Sequence, residues 1–82
     1  MNLSTKQIVI LTILKDAFEE GKNLTVYEIM EKIPHDTKRD ALLHSIKILA
    51  DKGLVERAGR ELRTGKLPFQ TFKLSAMGLA VL

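Results

Sequence analysis

Four cations recur at intervals of three residues late in the sequence, Arg57, Arg60, Arg63 and Lys66, with Glu61 the single acidic residue among them. Gly59 and Gly65 punctuate the same segment, so it reads as a turn-rich connection that brings several positive groups within reach of successive phosphates. Binding of that kind is driven by release of condensed counterions. A solvated loop is the plainer reading of the same charges. Other chemistries fail on residue type or spacing. His35 and His44, with no Cys in the chain, make a poor metal site. Asp40, His44 and Ser45 invite a triad reading, but adjacent His44 and Ser45 project about 100° apart on a helix and cannot easily share a hydrogen bond. Gly59 to Lys66 superficially resembles a phosphate-binding loop; the glycine interval is one residue too long, and Leu67 stands where a Ser or Thr must hold magnesium. No paired carboxylates lie in a recognisable pocket sequence. The expectation is a protein that is not an enzyme, with no catalytic residue, metal, cofactor or small-molecule substrate.

The bulk numbers fit that expectation. Eighty-two residues make one small domain, spanning 1–82, and a hydrophobic fraction of 45% with 28% charged residues is that of an ordinary globular chain. The formal charge of +3 permits a polyanionic partner without requiring one. The apolar stretch Ile8 to Leu14 is too short to span a bilayer and is followed by Lys15, Asp16, Glu19 and Glu20 in place of a cleavage site. It reads as a buried helix, and the chain as cytoplasmic with no membrane partner.

The elements that must carry the cations can be placed by their end signals. Ser4 with Gln7 forms a capping box that opens a first helix, and Gly21 ends it. At 100° per residue, Val9, Ile10, Leu11, Ile13, Leu14, Ala17 and Phe18 cover an arc of about 200°, wider than one packing surface requires. Leu24 is a candidate short strand. Thr25 with Glu28 makes a second capping box, for a short helix through Val26, Ile29, Met30 and Ile33 that Pro34 terminates. A turn at Pro34-His35-Asp36 leads to a third helix capped by Asp36 or Thr37, with Leu42, Leu43, Ile46, Leu49 and Ala50 as its buried stripe and Gly53 at its end. Leu54 to Ala58 and Gln70 to Leu74 read as strands of one hairpin, and Ser75 as the cap of a last helix from Ala76 to Leu82.

The predicted class is therefore mostly α with a small β-hairpin, in the order helix, short strand, helix, helix, strand, strand, short helix. The chain resembles the winged helix-turn-helix superfamily, in its prokaryotic, archaeal and viral regulator branch, at three places: LTVYEI at Leu24 to Ile29, IKILADKGLVER at Ile46 to Arg57, and FKLSAMG at Phe72 to Gly78. The resemblance implies a third helix set in the major groove of double-stranded DNA and a wing lying on the backbone or the minor groove. It puts the cationic segment on that wing. On the third helix, Thr37, Lys38, Arg39, His44 and Lys47 carry donors suited to phosphates or base edges, whereas Asp40 and Asp51 would repel the backbone.

Sequence-specific DNA binding by a transcriptional regulator is the expected function. Some members of the superfamily are protein-binding modules, and a replication or transcription assembly is the alternative setting. The wide apolar arc of the first helix, the outward Ile48 and the apolar tail suggest a homodimer face made of Ile10, Leu14, Ile48, Leu79 and Leu82; the same residues would equally serve if the tail covered the first helix within one chain.

Overall fold

The computed structural model describes residues 2–34, 36–63 and 68–82. His35 and Lys66 therefore lie outside the described residues. The chain folds in the order α1 (Thr5–Glu19), β1 (Leu24–Thr25), α2 (Val26–Lys32), α3 (Arg39–Asp51), β2 (Val55–Glu61), β3 (Phe69–Leu74) and α4 (Ala76–Ala80).

Local chemistry sets most of these boundaries. The Ser4 hydroxyl accepts from the Gln7 backbone N–H at 3.1 Å while the Gln7 side chain accepts from the Ser4 N–H at 2.9 Å, so two of the free donors at the start of α1 are satisfied. The helix closes when Gly21 takes φ +71°, which lets Gly21 N–H reach the Phe18 carbonyl and Lys22 N–H the Ala17 carbonyl. The same motif ends α3: Gly53 at φ +80° donates to Ala50 and Leu54 donates to Leu49. Leu49 and Leu54 are both fully buried, the apolar contact that accompanies this motif. The junction therefore aims β2 directly out of α3.

Thr25 belongs to β1 and also caps α2, accepting from Glu28 N–H at 3.2 Å while the Glu28 carboxylate accepts from Thr25 N–H at 2.8 Å. Replacing Thr25 with Ala removes the cap and leaves Glu28 N–H without its acceptor in a part-buried place. The expected loss is about 1 kcal/mol, read as a fall of roughly 4–8 °C in the thermal midpoint. The start of α3 differs from expectation. Its N-cap is Lys38, at φ −78° and ψ 145°, with no side-chain cap bond, because the side chain in that position carries only donors. Thr37 and Asp36 stand one and two residues too early to cap. The Thr37 hydroxyl oxygen is buried with no hydrogen-bond partner among the described residues.

The sheet runs β1–β3–β2, antiparallel throughout, with Leu24 opposite Phe72 and Val55 opposite Leu74. The strands are longer than the sequence suggests at the far end of the hairpin: β2 continues past Ala58 to Glu61, and β3 begins at Phe69. α1 lies at the centre, packed on α2, α3 and β3. This placement accounts for its wide apolar arc. Ile10, Leu11, Ile13, Leu14 and Ala17 are all buried in one core with Ile29, Leu42, Ile46, Leu49, Phe72 and Leu74. On α3 the buried stripe is narrower than expected, since Leu43 is 37% exposed. α4 stops at Ala80, short of the expected Leu82, and leaves Val81 and Leu82 exposed.

Candidate nucleic-acid interface

The outward face of α3 is defined by what its inward face buries. Leu42, Ile46 and Leu49 point to the core, and directly opposite them Asp40, His44, Lys47 and Asp51 fall within an arc of about 60°; all four are exposed. Lys47 and His44 thus stand in the middle of the most accessible row, with a carboxylate at either end. Lys38 and Arg39 are exposed ahead of them and Thr37 is half-buried. Arg39 does not simply project from the first turn. Its guanidinium donates to the Tyr27 hydroxyl at 3.1 Å and to the Asp40 carboxylate at 3.3 Å. The Tyr27 ring in turn meets Phe69 edge-on, with centroids 5.7 Å apart. Asp40, Arg39, Tyr27 and Phe69 therefore form a continuous surface run from α3 across α2 to the hairpin. Tyr27 and Phe69 carry no spacing signal that would single them out in the sequence; only the fold brings them beside Arg39.

The hairpin treats its cations unequally. In a regular strand, residues three apart point to opposite faces. Arg57 and Arg60 escape this because the register slips by one between Arg57 and Gly59, leaving Ala58 as the extra residue of a bulge. Arg57 then stands opposite Phe72 and Arg60 opposite Gln70, two β3 residues of the same face. Both arginines are exposed, and neither makes an ion pair with a described residue. The bulge is held by Gly59 at φ +120°, whose carbonyl accepts from the Gln70 amide at 3.1 Å and the Thr71 hydroxyl at 2.8 Å. Gly59 is thus a bulge residue within a strand, not the turn residue the sequence suggests.

Arg63 behaves otherwise. It is folded onto the protein's own carboxylates, donating from Nε to Glu28 and from one terminal nitrogen to Glu61, each at 3.0 Å. The expected row of four evenly spaced cations does not hold among the described residues: two share a face, the third is bound internally, and Lys66 is not described. The reason is tertiary, since Glu28 lies 35 positions earlier in the chain. Burial alone would raise the Glu28 pKa, but the Thr25 backbone N–H and the Arg63 guanidinium outweigh it and hold the carboxyl below its ordinary range. Glu61 is likewise lowered, first by its bond from Arg63 and then by Asn23. Both pairs therefore stabilise the fold above the pH at which an unfolded Glu ionises, and that contribution is lost as pH falls through the lowered values.

The dimer face expected from the sequence is also redistributed. Ile10 and Leu14 are each 1% exposed and belong to the core of the single chain, because α1 is surrounded on several sides. Ile48 is half-buried, Leu79 packs against the core, and Leu82 remains exposed. Among the described residues no group of three His, Cys, Asp or Glu side chains converges as a metal site would require. No helix among them is long and apolar enough to cross a membrane.

Two consecutive helices, α2 and α3, followed by a two-stranded ribbon that pairs back to a short strand, constitute a winged helix fold, with β2–β3 as the wing. Among solved structures the chain is similar to the crystal structure of Bacillus subtilis PadR in complex with operator DNA, with a TM-score of 0.74 at 18% sequence identity. The match covers 95% of this chain and 44% of that one, so this chain spans less than half the length of the PadR chain. No family model matches the sequence, and no curated protein matches it.

Proposed function

We propose that this domain binds double-stranded DNA in a sequence-specific manner as part of transcriptional regulation, with α3 in the major groove, the wing on the backbone or minor groove, and no catalysis of its own. The observation that carries the reading is the bulge at Ala58, which sets two arginines that make no ion pair with a described residue on one face of the ribbon that follows α3. Bidentate guanidinium and ammonium groups suit phosphate oxygens and guanine edges. His44 and Lys47, centred on the exposed row of α3, are the residues assigned to base edges; Lys38, Arg57 and Arg60 are assigned to phosphates. Arg39 can serve a phosphate only from where Tyr27 holds it. A solved complex of PadR with operator DNA supports the reading by likeness of fold. A cytoplasmic location goes with such a function.

Selection of bound sites from random duplex DNA tests it. A shared motif should emerge, and changing Lys47 or His44 should alter the preferred bases more than the overall affinity. Recovery of unenriched sequence would overturn sequence-specific reading.

A second reading has one observation in its favour. Asp40 and Asp51 bracket the exposed row of α3 and would meet a phosphate backbone unfavourably. A winged-helix module that docks a protein in a replication or transcription assembly tolerates those charges. It predicts weak DNA binding that does not discriminate between sequences.

A further inference from the structure

Arg63 stands at the end of β2 and uses three of its nitrogens in three directions. Nε donates to Glu28 in the first turn of α2, one terminal nitrogen donates to Glu61 on β2, and the other donates to the Asn23 carbonyl ahead of β1 at 3.0 Å. Each partner is itself engaged. Glu28 gives its other oxygen to the Thr25 N–H of the α2 capping box. Glu61 gives its second oxygen to the Asn23 amide and the Thr71 hydroxyl, both at 3.4 Å. The Arg63 side chain is only 29% exposed. A planar guanidinium spread over this many fixed acceptors has little left to offer a phosphate.

We propose that Arg63 is a positioning residue: a latch that clamps the far end of the wing against the N-terminus of α2 and so fixes where Arg57 and Arg60 stand relative to α3. Apart from this clamp, the far half of β2 is paired only to β3, and a two-stranded ribbon alone is marginally stable. The consequence for binding rests on the proposed DNA-binding function; the clamp itself does not.

The test compares Arg63→Gln, Glu28→Gln and Arg60→Ala in the full chain. Glu28→Gln is chosen because Gln at this position still completes a capping box, so it removes the ion pair and spares the helix start. Without DNA, amide hydrogen exchange at Glu61 and Phe69, the paired residues at the far end of the ribbon, should rise about fivefold in Arg63→Gln and in Glu28→Gln, while amides of α1 stay unchanged. The double variant should add little to either single one. With duplex DNA, Arg63→Gln should weaken binding severalfold and leave the salt slope as in the wild type, whereas Arg60→Ala should lower the slope by about 0.9. Unchanged exchange at the wing amides in both latch variants would overturn the proposal. So would a salt slope lowered in Arg63→Gln as much as in Arg60→Ala, which would make Arg63 a phosphate contact. If the wild type fails to bind duplex DNA, the proposed function falls, and the exchange experiment still decides the latch.

Discussion

Replacing Arg57 and Arg60 together with Ala should weaken binding to duplex DNA about 60-fold at 0.1 M monovalent salt and reduce the magnitude of the log–log salt slope by about 1.8. The figure follows from counterion release. One lost phosphate contact removes about 0.9 from the slope, so between 1 M and 0.1 M salt it is worth about 8-fold, and two independent contacts multiply. Independence is reasonable because the two arginines occupy different rungs of the ribbon, one opposite Phe72 and the other opposite Gln70. The fold should be untouched, since both side chains are exposed and make no ion pair with a described residue. Fluorescence anisotropy across a salt series, with thermal unfolding beside it, measures both. A double variant that binds with an undiminished slope would remove the wing from the interface.

The contrast between these arginines and Arg63 shows where sequence reasoning stops. Signals closed within three or four residues were legible: both capping boxes and both glycine helix ends appear where the letters put them. The N-terminus of α3 was not, because Asp36 and Thr37 have the chemistry of a cap and the backbone places neither there. Cations three apart looked like one row. In a strand that spacing alternates faces, and it takes a one-residue bulge at Ala58 to realign Arg57 with Arg60. Nothing local announces that bulge; Gly59 looks the same in a turn. Arg63 is recruited by Glu28 across a gap that no spacing rule spans. Likewise, the wide apolar arc of α1 suited a second copy and coverage within the same chain equally. A helix at the centre of a small domain needs such an arc within its own chain.

Gly78 carries the largest expected effect on stability. It is a glycine inside a helix, where Ala would ordinarily be favoured by up to about 1 kcal/mol. Here the sign reverses. A Cβ at this position would run into the Leu54 backbone oxygen and come within 3.1 Å of Leu74 Cδ2. Neither neighbour is free to yield. The Leu54 carbonyl accepts from Ser75 N–H at 3.1 Å, and Leu54 N–H closes the end of α3 on Leu49. Ser75 ties the same corner together, donating to the Gly53 carbonyl at 2.6 Å while accepting from Gly78 N–H at 2.9 Å. Gly78→Ala must therefore lift α4 off the junction between α3 and β2, breaking the Ser75 bonds and uncovering Leu74. Overpacking of this kind costs about 2 kcal/mol after the gain in helix propensity, so the thermal midpoint should fall by roughly 10 °C in a chain of this size. Gly21 is the internal control. It has a positive φ but open space around it, so Gly21→Ala meets backbone strain alone and costs about 1 kcal/mol. Circular dichroism melts of the two variants decide the matter: if Gly78→Ala unfolds at or above the midpoint of Gly21→Ala, α4 does not press on Leu54 as described. Arg57 and Arg60 take no part in this contact, so whatever folded Gly78→Ala protein remains should bind DNA with the wild-type salt slope.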